Sequence, residues 1–194
     1  MDLSRTLKGV EARYNSAQTL EVEFAYTYSF RNRKTSEKGT LFLRKPGRMR
    51  WQYAEPAGKL FVSDGNLLYS YIPEERRAEK TKFKETEDMR APLAFLLGRL
   101  DFQRDFGEYR TATQGGPQGG DVFITALPKS DKMPYTEVSF LVTKDFAIRR
   151  VVVKGQDGSV TDFTFAGEKR NGAVGDAMFT FSAPAGVEVV DLTR

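Results

Sequence analysis

Side chains that commonly carry out catalysis are scarce in this sequence. Histidine and cysteine are both absent, which excludes Ser–His–Asp and Cys–His nucleophiles, disulfides, and zinc sites with histidine or cysteine ligands. The carboxylates that could form an acid–base pair fall in a charged, weakly periodic stretch, at Glu74, Glu75, Glu85, Glu87 and Asp88. This pattern favours a solvated surface and lacks the spacing of an EF-hand. We therefore predict no enzyme activity, no metal and no cofactor.

Basic side chains concentrate around one proline, at Arg44, Lys45, Arg48 and Arg50. Trp51 and Tyr53 follow, and basic residues interleaved with aromatic ones can bind single-stranded nucleic acid. In a strand, however, Trp51 and Tyr53 would share one face with Met49, whereas Arg48 and Arg50 would lie on the other. Stacked bases need charge on the same surface, so nucleic acid is disfavoured. Two interpretations stay open: a solvated charged face, and a docking patch for a partner protein formed by Arg44, Arg48 and Arg50.

The composition bounds the class of protein. A length of 194 residues suits a single domain over 1–194, and 40% hydrophobic and 29% charged residues are typical of a globular chain. The net charge of +4 is mild, and it fits acidic partners or lipid head groups as well as nucleic acid. The sequence contains no run of about 18 apolar residues that would predict a membrane-spanning helix. Residues 1–5 lack signal-peptide features, so we expect either a cytosolic protein or one whose signal peptide has been removed.

Hydrophobic periodicity predicts an N-terminal helix followed by a long strand. Apolar residues recur at helical spacing between residues 3 and 17, which predicts an amphipathic helix of about four turns. From residue 20 the period becomes two, and six large side chains fall on one face: Leu20, Val22, Phe24, Tyr26, Tyr28 and Phe30. This alternation is typical of a half-buried strand.

An antiparallel meander is predicted over the next 50 residues. One strand covers 39–45, with Leu41 and Leu43 opposite Phe42, and the next carries Met49, Trp51 and Tyr53. Two further strands, at 60–63 and 66–72, flank an Asp-Gly pair that is a strong hairpin signal. A short edge strand is expected at 80–84.

The second half combines a short helix with more strands. Pro92 suits the first position of a helix over 91–100, and its apolar stripe comprises Leu93, Leu96, Leu97 and Leu100. Strands are predicted at 121–127, 135–143, 146–154 and 159–166. The last segment, 178–190, reads as a short strand, a Pro-Gly turn and an apolar tail.

A sheet with so many large apolar side chains needs a cover, and the two predicted helices are the only candidates. A large sheet with few helices either curls into a barrel or leaves a gap. We predict a mainly β (α+β) fold, in which a single curved antiparallel sheet forms an incomplete β-barrel with a helical lid. A gap under the lid would be an apolar cavity suited to a lipid tail, and periodicity alone leaves a filled core open as the alternative.

Several motifs in these elements resemble those of one known family. They are LRKPGRMRWQY, then EP, then FVSDGNLLYSYIP, then APLAFLL, and finally FTFSAPAGVEVVD. Together they resemble the periplasmic outer-membrane lipoprotein carriers, the LolA family, over essentially the whole chain. The central pattern around Pro46 and Trp51, followed by the Ser-Asp-Gly hairpin, is the most specific part.

The resemblance implies an incomplete antiparallel β-barrel with helices as a lid over a cavity for acyl chains. It also implies a periplasmic carrier that takes lipoproteins from an inner-membrane ABC-type release complex to an outer-membrane acceptor, without catalysis. We expect a monomer whose signal peptide has been removed. The alternatives are an envelope sensor domain that binds lipid or lipoprotein with the same fold, and a carrier of another lipid or a glycolipid.

The resemblance and the alternation together suggest which residues carry the function. In the family, a basic residue before the motif proline, usually arginine, holds the empty lid closed, and this position here is Lys45. Lysine lacks the planar fork of arginine, which implies weaker gating. The family's aromatic a few residues later corresponds to Met49. We expect twelve residues to line the cavity or the lid: Leu20, Val22, Phe24, Tyr26, Leu41, Leu43, Met49, Trp51, Tyr53, Leu93, Leu96 and Leu97.

Overall fold

The computed structural model describes residues 2–83, 99–113 and 120–194. Within them, helix α1 covers Leu3–Asn15 and a short helix α2 covers Phe102–Asp105. Single 3₁₀ turns lie at Pro73–Glu75 and Asp176–Phe179. The twelve strands of this part of the chain are β1 (Thr19–Phe30), β2 (Arg33–Arg44), β3 (Arg48–Glu55), β4 (Leu60–Asp64), β5 (Leu67–Ile72), β6 (Arg77–Lys82), β7 (Phe106–Thr113), β8 (Val122–Pro128), β9 (Tyr135–Val142), β10 (Ile148–Gly155), β11 (Val160–Arg170) and β12 (Glu188–Asp191).

These twelve strands belong to one sheet, in the order β12-β6-β5-β4-β3-β2-β1-β11-β10-β9-β8-β7. Strands β2 to β6 pair antiparallel in sequence order, and so do β7 to β11. Strand β12 differs, because it runs parallel to its neighbour β6. The strands at the two ends of the order, β12 and β7, are not neighbours. The predicted mainly β fold, with one antiparallel sheet that does not close, is therefore confirmed.

Some predicted boundaries were wrong. Strand β2 begins at Arg33, six residues before the predicted start, because Arg31 with a φ of 53° makes a tight turn that needs no longer loop. Strand β6 covers Arg77–Lys82 and is not an edge, since β12 pairs with it. The last strand follows the Pro184–Gly186 turn instead of preceding it, and residues 176–179 form a 3₁₀ turn. The predicted helix over 91–100 falls almost entirely within 84–98, outside the described residues.

Two compact units share the strands. Among the described residues, the first unit comprises 2–16, 25–36, 99–113 and 120–166, and the second comprises 17–24, 37–83 and 167–194. Each unit contains its own part of β1, β2 and β11. The single domain over 1–194 stays a prediction.

Helix α1 packs in the first unit through polar contacts and one close approach. Asp2 caps the helix, since its Oδ1 accepts from the Ser4 N–H at 3.0 Å. Tyr14 is almost fully buried, and its hydroxyl accepts from the Ile148 N–H of β10 at 2.8 Å. A Cβ on Gly9 would lie 2.5 Å from a ring carbon of Phe146, so glycine is needed for this approach. These contacts fix α1 against the turn between β9 and β10.

Several phenylalanine rings pack together in the core of this first unit. Phe102 packs edge-on against Phe140 with the ring centroids 5.5 Å apart, and Phe106 packs edge-on against the same ring at 6.1 Å. Asn15 joins the helix to this cluster, because its amide donates to the Leu100 carbonyl and its oxygen accepts from the Leu100 N–H, both at 2.7 Å. Among residues 2–83, 99–113 and 120–194, no helix combines the length and apolarity needed to cross a membrane.

The Tyr14 hydroxyl generates a stability prediction. Replacing Tyr14 by phenylalanine leaves the buried Ile148 N–H without its acceptor, so we expect Tyr14→Phe to lower the free energy of unfolding by about 1–3 kcal/mol. Tyr28→Phe on the half-buried part of β1 is the matched control, with an expected change below about 0.5 kcal/mol. Urea unfolding of both variants measures the difference, and equal stabilities would contradict the role of this hydrogen bond.

Candidate functional site

The second unit contains a continuous apolar face on one side of its strands. Eight of the twelve residues predicted to line a cavity or lid are buried here, on β1, β2 and β3: Leu20, Val22, Phe24, Leu41, Leu43, Met49, Trp51 and Tyr53. They share one face because side chains alternate along each strand and the register aligns Leu41 with Trp51 and Leu43 with Met49. The structure thus brings these eight residues together, while their role in binding stays a prediction.

Aromatic rings form the centre of this apolar face. Phe24 packs edge-on against Trp51 at 4.9 Å and against Tyr53 at 5.2 Å between ring centroids. The Trp51 Nε1–H points at the Met49 sulfur, 3.4 Å away. Phe61 on β4 extends the cluster and lies 5.9 Å from Tyr53. Sequence reasoning missed Phe61, although the short turn between β3 and β4 joins neighbouring strands whose register places it opposite Trp51.

The other four predicted residues do not join this cluster. Tyr26 belongs to the first unit, where it is half-buried and its ring lies 5.0 Å from that of Phe163. Leu93, Leu96 and Leu97 lie outside the described residues.

Lys45, the predicted latch, follows the last residue of β2. Its backbone N–H donates to the Gln18 carbonyl at 3.0 Å, which ties the turn to the start of β1. The side chain is half-buried, and burial lowers the pKa of its ammonium below the ordinary value because the charged form loses hydration. The turn itself needs Gly47, which adopts a φ of 67°. The latch function of Lys45 stays a prediction.

The basic patch of Arg44, Arg48 and Arg50 lies on the opposite face of the sheet and contacts the chain's own C-terminal segment. Arg44 and Arg48 both donate from Nη1 to Oδ1 of Asp176, at 2.5 and 3.0 Å. Arg44 also donates to the Val174 carbonyl and Arg50 to the Met178 carbonyl, each at 3.3 Å. Burial lowers the pKa of Arg50 from its ordinary value. The docking role of this patch stays a prediction, but its guanidinium groups already bind residues 174–178.

Two phenylalanines anchor the same C-terminal segment. Phe179 is 2% exposed, and the 3₁₀ turn that contains it lies against β3 and β4. Phe181 stacks on Tyr69 of β5 with the ring centroids 5.3 Å apart and contacts Tyr71 at 6.1 Å. The segment therefore covers this face of the sheet with rings as well as ion pairs.

A buried ion pair, missed by sequence reasoning, borders the apolar face. The Lys59 ammonium donates to both carboxylate oxygens of Glu37, at 2.8 and 2.9 Å. The two side chains are only 12% and 11% exposed. Charge patterning gave no signal for this pair, because 22 residues separate its members and a strand lies between them.

Open antiparallel sheets that pack an apolar face into a core are a common architecture of β proteins. The family model described as outer membrane lipoprotein carrier protein LolA matches residues 15–182 of this chain. The chain therefore belongs to the LolA family.

Individual relatives agree with this membership. The chain is 25% identical to an outer-membrane lipoprotein carrier protein of Chromobacterium violaceum over 182 residues, which cover 93% of this chain and 85% of the relative. It is 28% identical to the protein of the same name from Nitrosospira multiformis over 177 residues, covering 90% and 83%. A crystal structure of an uncharacterized conserved protein from Thermus thermophilus is similar in fold, with a TM-score of 0.59, 12% identity and coverage of 97% and 98%.

Two substitutions separate the contributions of the buried ring and of the ion pairs to the attachment of the C-terminal segment to the sheet. Phe179→Ala removes a buried ring, and we expect it to lower the free energy of unfolding by about 3–5 kcal/mol. Asp176→Asn removes the partner of two arginines, but the Asp176 side chain is 78% exposed, so the expected loss is below about 1 kcal/mol. Urea unfolding compares the two variants, and an Asp176→Asn loss as large as that of Phe179→Ala would contradict the expectation that the buried ring contributes most to the attachment.

Proposed function

We propose that this protein carries lipoproteins through the periplasm, from the inner to the outer membrane, and shields their acyl chains against the apolar face of β1–β4. The observation that carries the proposal is the match of the LolA family model over residues 15–182. The continuous apolar face supports it, because a lipid anchor needs apolar surface to replace the bilayer. The proposed partners are lipoproteins, an inner-membrane ABC-type release complex and an outer-membrane acceptor, and the proposed carrier is a non-catalytic monomer.

The energetics of such transfer must be nearly balanced. Each acyl CH₂ removed from water is worth about 0.8 kcal/mol, so a lipid-anchored protein does not cross water unshielded. A bilayer offers similar burial, and a carrier that bound the chains much more strongly would not release them. The side chains of the apolar face are buried, so an acyl chain that enters must displace whatever covers them. Each aromatic contact broken costs about 0.5–1.5 kcal/mol, which opposes loading and so favours release.

Lys45 is proposed to control this opening as a latch. It lies at the end of β2, where its backbone holds the start of β1, and β1 carries three residues of the apolar face. A ligand shifts an opening equilibrium only by its differential affinity for the open state. A weaker latch therefore leaves more of the cargo's binding energy available for loading.

Complex formation tests the carrier function directly. When a lipid-anchored lipoprotein in detergent is mixed with the protein and the detergent is removed, we expect a soluble one-to-one complex, measured by size-exclusion chromatography with light scattering. The control cargo is the same lipoprotein without its acyl chains, which should stay soluble but should not co-elute. Lipoprotein that precipitates to the same extent with and without the carrier would contradict the proposal.

Gating by Lys45 has its own test. Arginine adds a planar fork with more donors, so Lys45→Arg should strengthen the closed state and slow loading or release by about tenfold, if it adds one charge-assisted hydrogen bond. Transfer of lipoprotein between proteoliposomes and the carrier measures the rates, with Lys8→Arg on the exposed side of α1 as the matched control. Transfer rates that equal those of the wild type would remove Lys45 from the mechanism.

A further inference from the structure

The Lys59–Glu37 pair differs sharply from a neighbouring ion pair in the same unit. Lys38 on β2 and Glu55 on β3 lie 3.0 Å apart between nitrogen and oxygen, but their side chains are 56% and 67% exposed. The side chains of Lys59 and Glu37 are 12% and 11% exposed, although Glu37 is adjacent to Lys38. Adjacent residues of a strand point to opposite faces, so one pair lies in solvent and the other lies on the buried side.

The buried pair lies at the edge of the apolar face, on the same side of the strands. Glu37 precedes Leu41 and Leu43 at even spacing on β2, and Lys59 lies just before β4, two residues from Phe61. The Lys59 ammonium lies 4.8 Å from the centroid of the Tyr53 ring and 5.5 Å from that of Phe61. It is therefore held between a carboxylate and two of the aromatic rings that form the face.

A buried ion pair contributes little net free energy to the stability of a sheet. Removing both charges from water costs free energy that offsets much of their mutual attraction. Apolar residues of similar volume often stabilise a protein equally well. Buried ionic groups can instead supply selectivity, because removing or displacing one partner leaves the other charge uncompensated. The position of the pair on the sheet indicates which part of a ligand it would contact.

The pair limits the length of the apolar face. Glu37 and Leu43 are six residues apart on β2, or about 20 Å at the usual rise per residue. The hydrocarbon of one bilayer leaflet is about 15 Å thick, so the length of the face would match one acyl chain laid along the strands once its cover is displaced. A chain laid there with its polar end toward Lys59 and Glu37 avoids placing its methyl end against charge.

We propose that the Lys59–Glu37 pair makes this face select acyl chains with uncharged head groups and reject those with anionic ones. This inference rests on the proposed acyl-chain function. Glu37 already neutralises Lys59, so an anionic head group meets a buried carboxylate that repels it and an ammonium that is already paired. An uncharged ester or amide head group brings no charge into the site and accepts hydrogen bonds without breaking the pair. A carrier with this property leaves fatty acids and anionic phospholipids in the membrane.

Two matched probes test the selectivity: cis-parinaric acid, at about pH 8 where a carboxyl is ionised, and its methyl ester. Fluorescence titration gives the ratio of the two dissociation constants for each variant. Glu37→Gln exposes an unpaired ammonium, so we expect its preference to shift toward the acid by about tenfold or more. Glu37→Gln combined with Lys59→Met has neither charge, and its preference should fall between that of Glu37→Gln and that of the wild type. Glu55→Gln breaks only the exposed pair and should leave the ratio unchanged.

The outcomes distinguish a failure of the selectivity inference from a failure of the proposed acyl-chain function. Ester binding shows that each variant is folded and still takes an acyl chain. If the double variant and Glu37→Gln both keep the wild-type ratio of acid to ester, acyl binding stands and the selectivity role is overturned. A shift of equal size in Glu55→Gln also overturns it, because the effect would then follow net charge. If neither the wild type nor any variant binds either probe, the proposed acyl-chain function fails.

Discussion

The need to cover both faces of the same strands governs the second unit. Side chains alternate along β3 and β4, so Trp51 and Phe61 bury one face while Val62, in register with Arg50, is fully buried on the other. A strand that is apolar on both faces cannot face water on either side. The C-terminal segment meets this constraint through Phe179, and its backbone carbonyl at Met178 accepts from Arg50 instead of from a strand. The arginine thus satisfies a polar group of an irregular segment that lies against the sheet.

Much of the fold was predictable because its strands follow local rules. The alternation from Leu20 to Phe24 and from Met49 to Tyr53 appears in the structure as buried positions. The Asp-Gly pair forms the predicted turn, in which Asp64 Oδ1 accepts from the N–H groups of Asn66 and Leu67, both at 2.9 Å. The errors fell where local rules are weak. The polar residues 33–38 gave no periodic signal but still extend β2, since the hydrogen bonds of a strand pair depend on the backbone and not on side-chain polarity.

The candidate site was only partly predictable, for a related reason. Residues on one face of one strand can be assigned from alternation alone, which is why the apolar residues of β1, β2 and β3 could be grouped. Contacts between distant segments cannot be assigned in this way. Arg44 meets Asp176 across 132 residues, and Lys59 meets Glu37 across an intervening strand, next to a register shift in the pairing of β2 with β3. Both contacts depend on the register of several strands at once.

Polar groups border the apolar face and limit how it can be covered. A face made only of apolar side chains would be stabilised by any apolar surface that covered it. Its side chains would then not favour one closed arrangement over a collapsed one. Here charged groups occur at both ends of the part of β2 that belongs to the second unit, with Glu37 paired to Lys59 at its start and Lys45 after its last residue. Neither end can move deeper into the apolar face without losing hydration or a partner, so the two ends set its length. Under the proposed acyl-chain function, a face of fixed length would favour a ligand of matching length, because a longer chain would bring its own apolar end against charge.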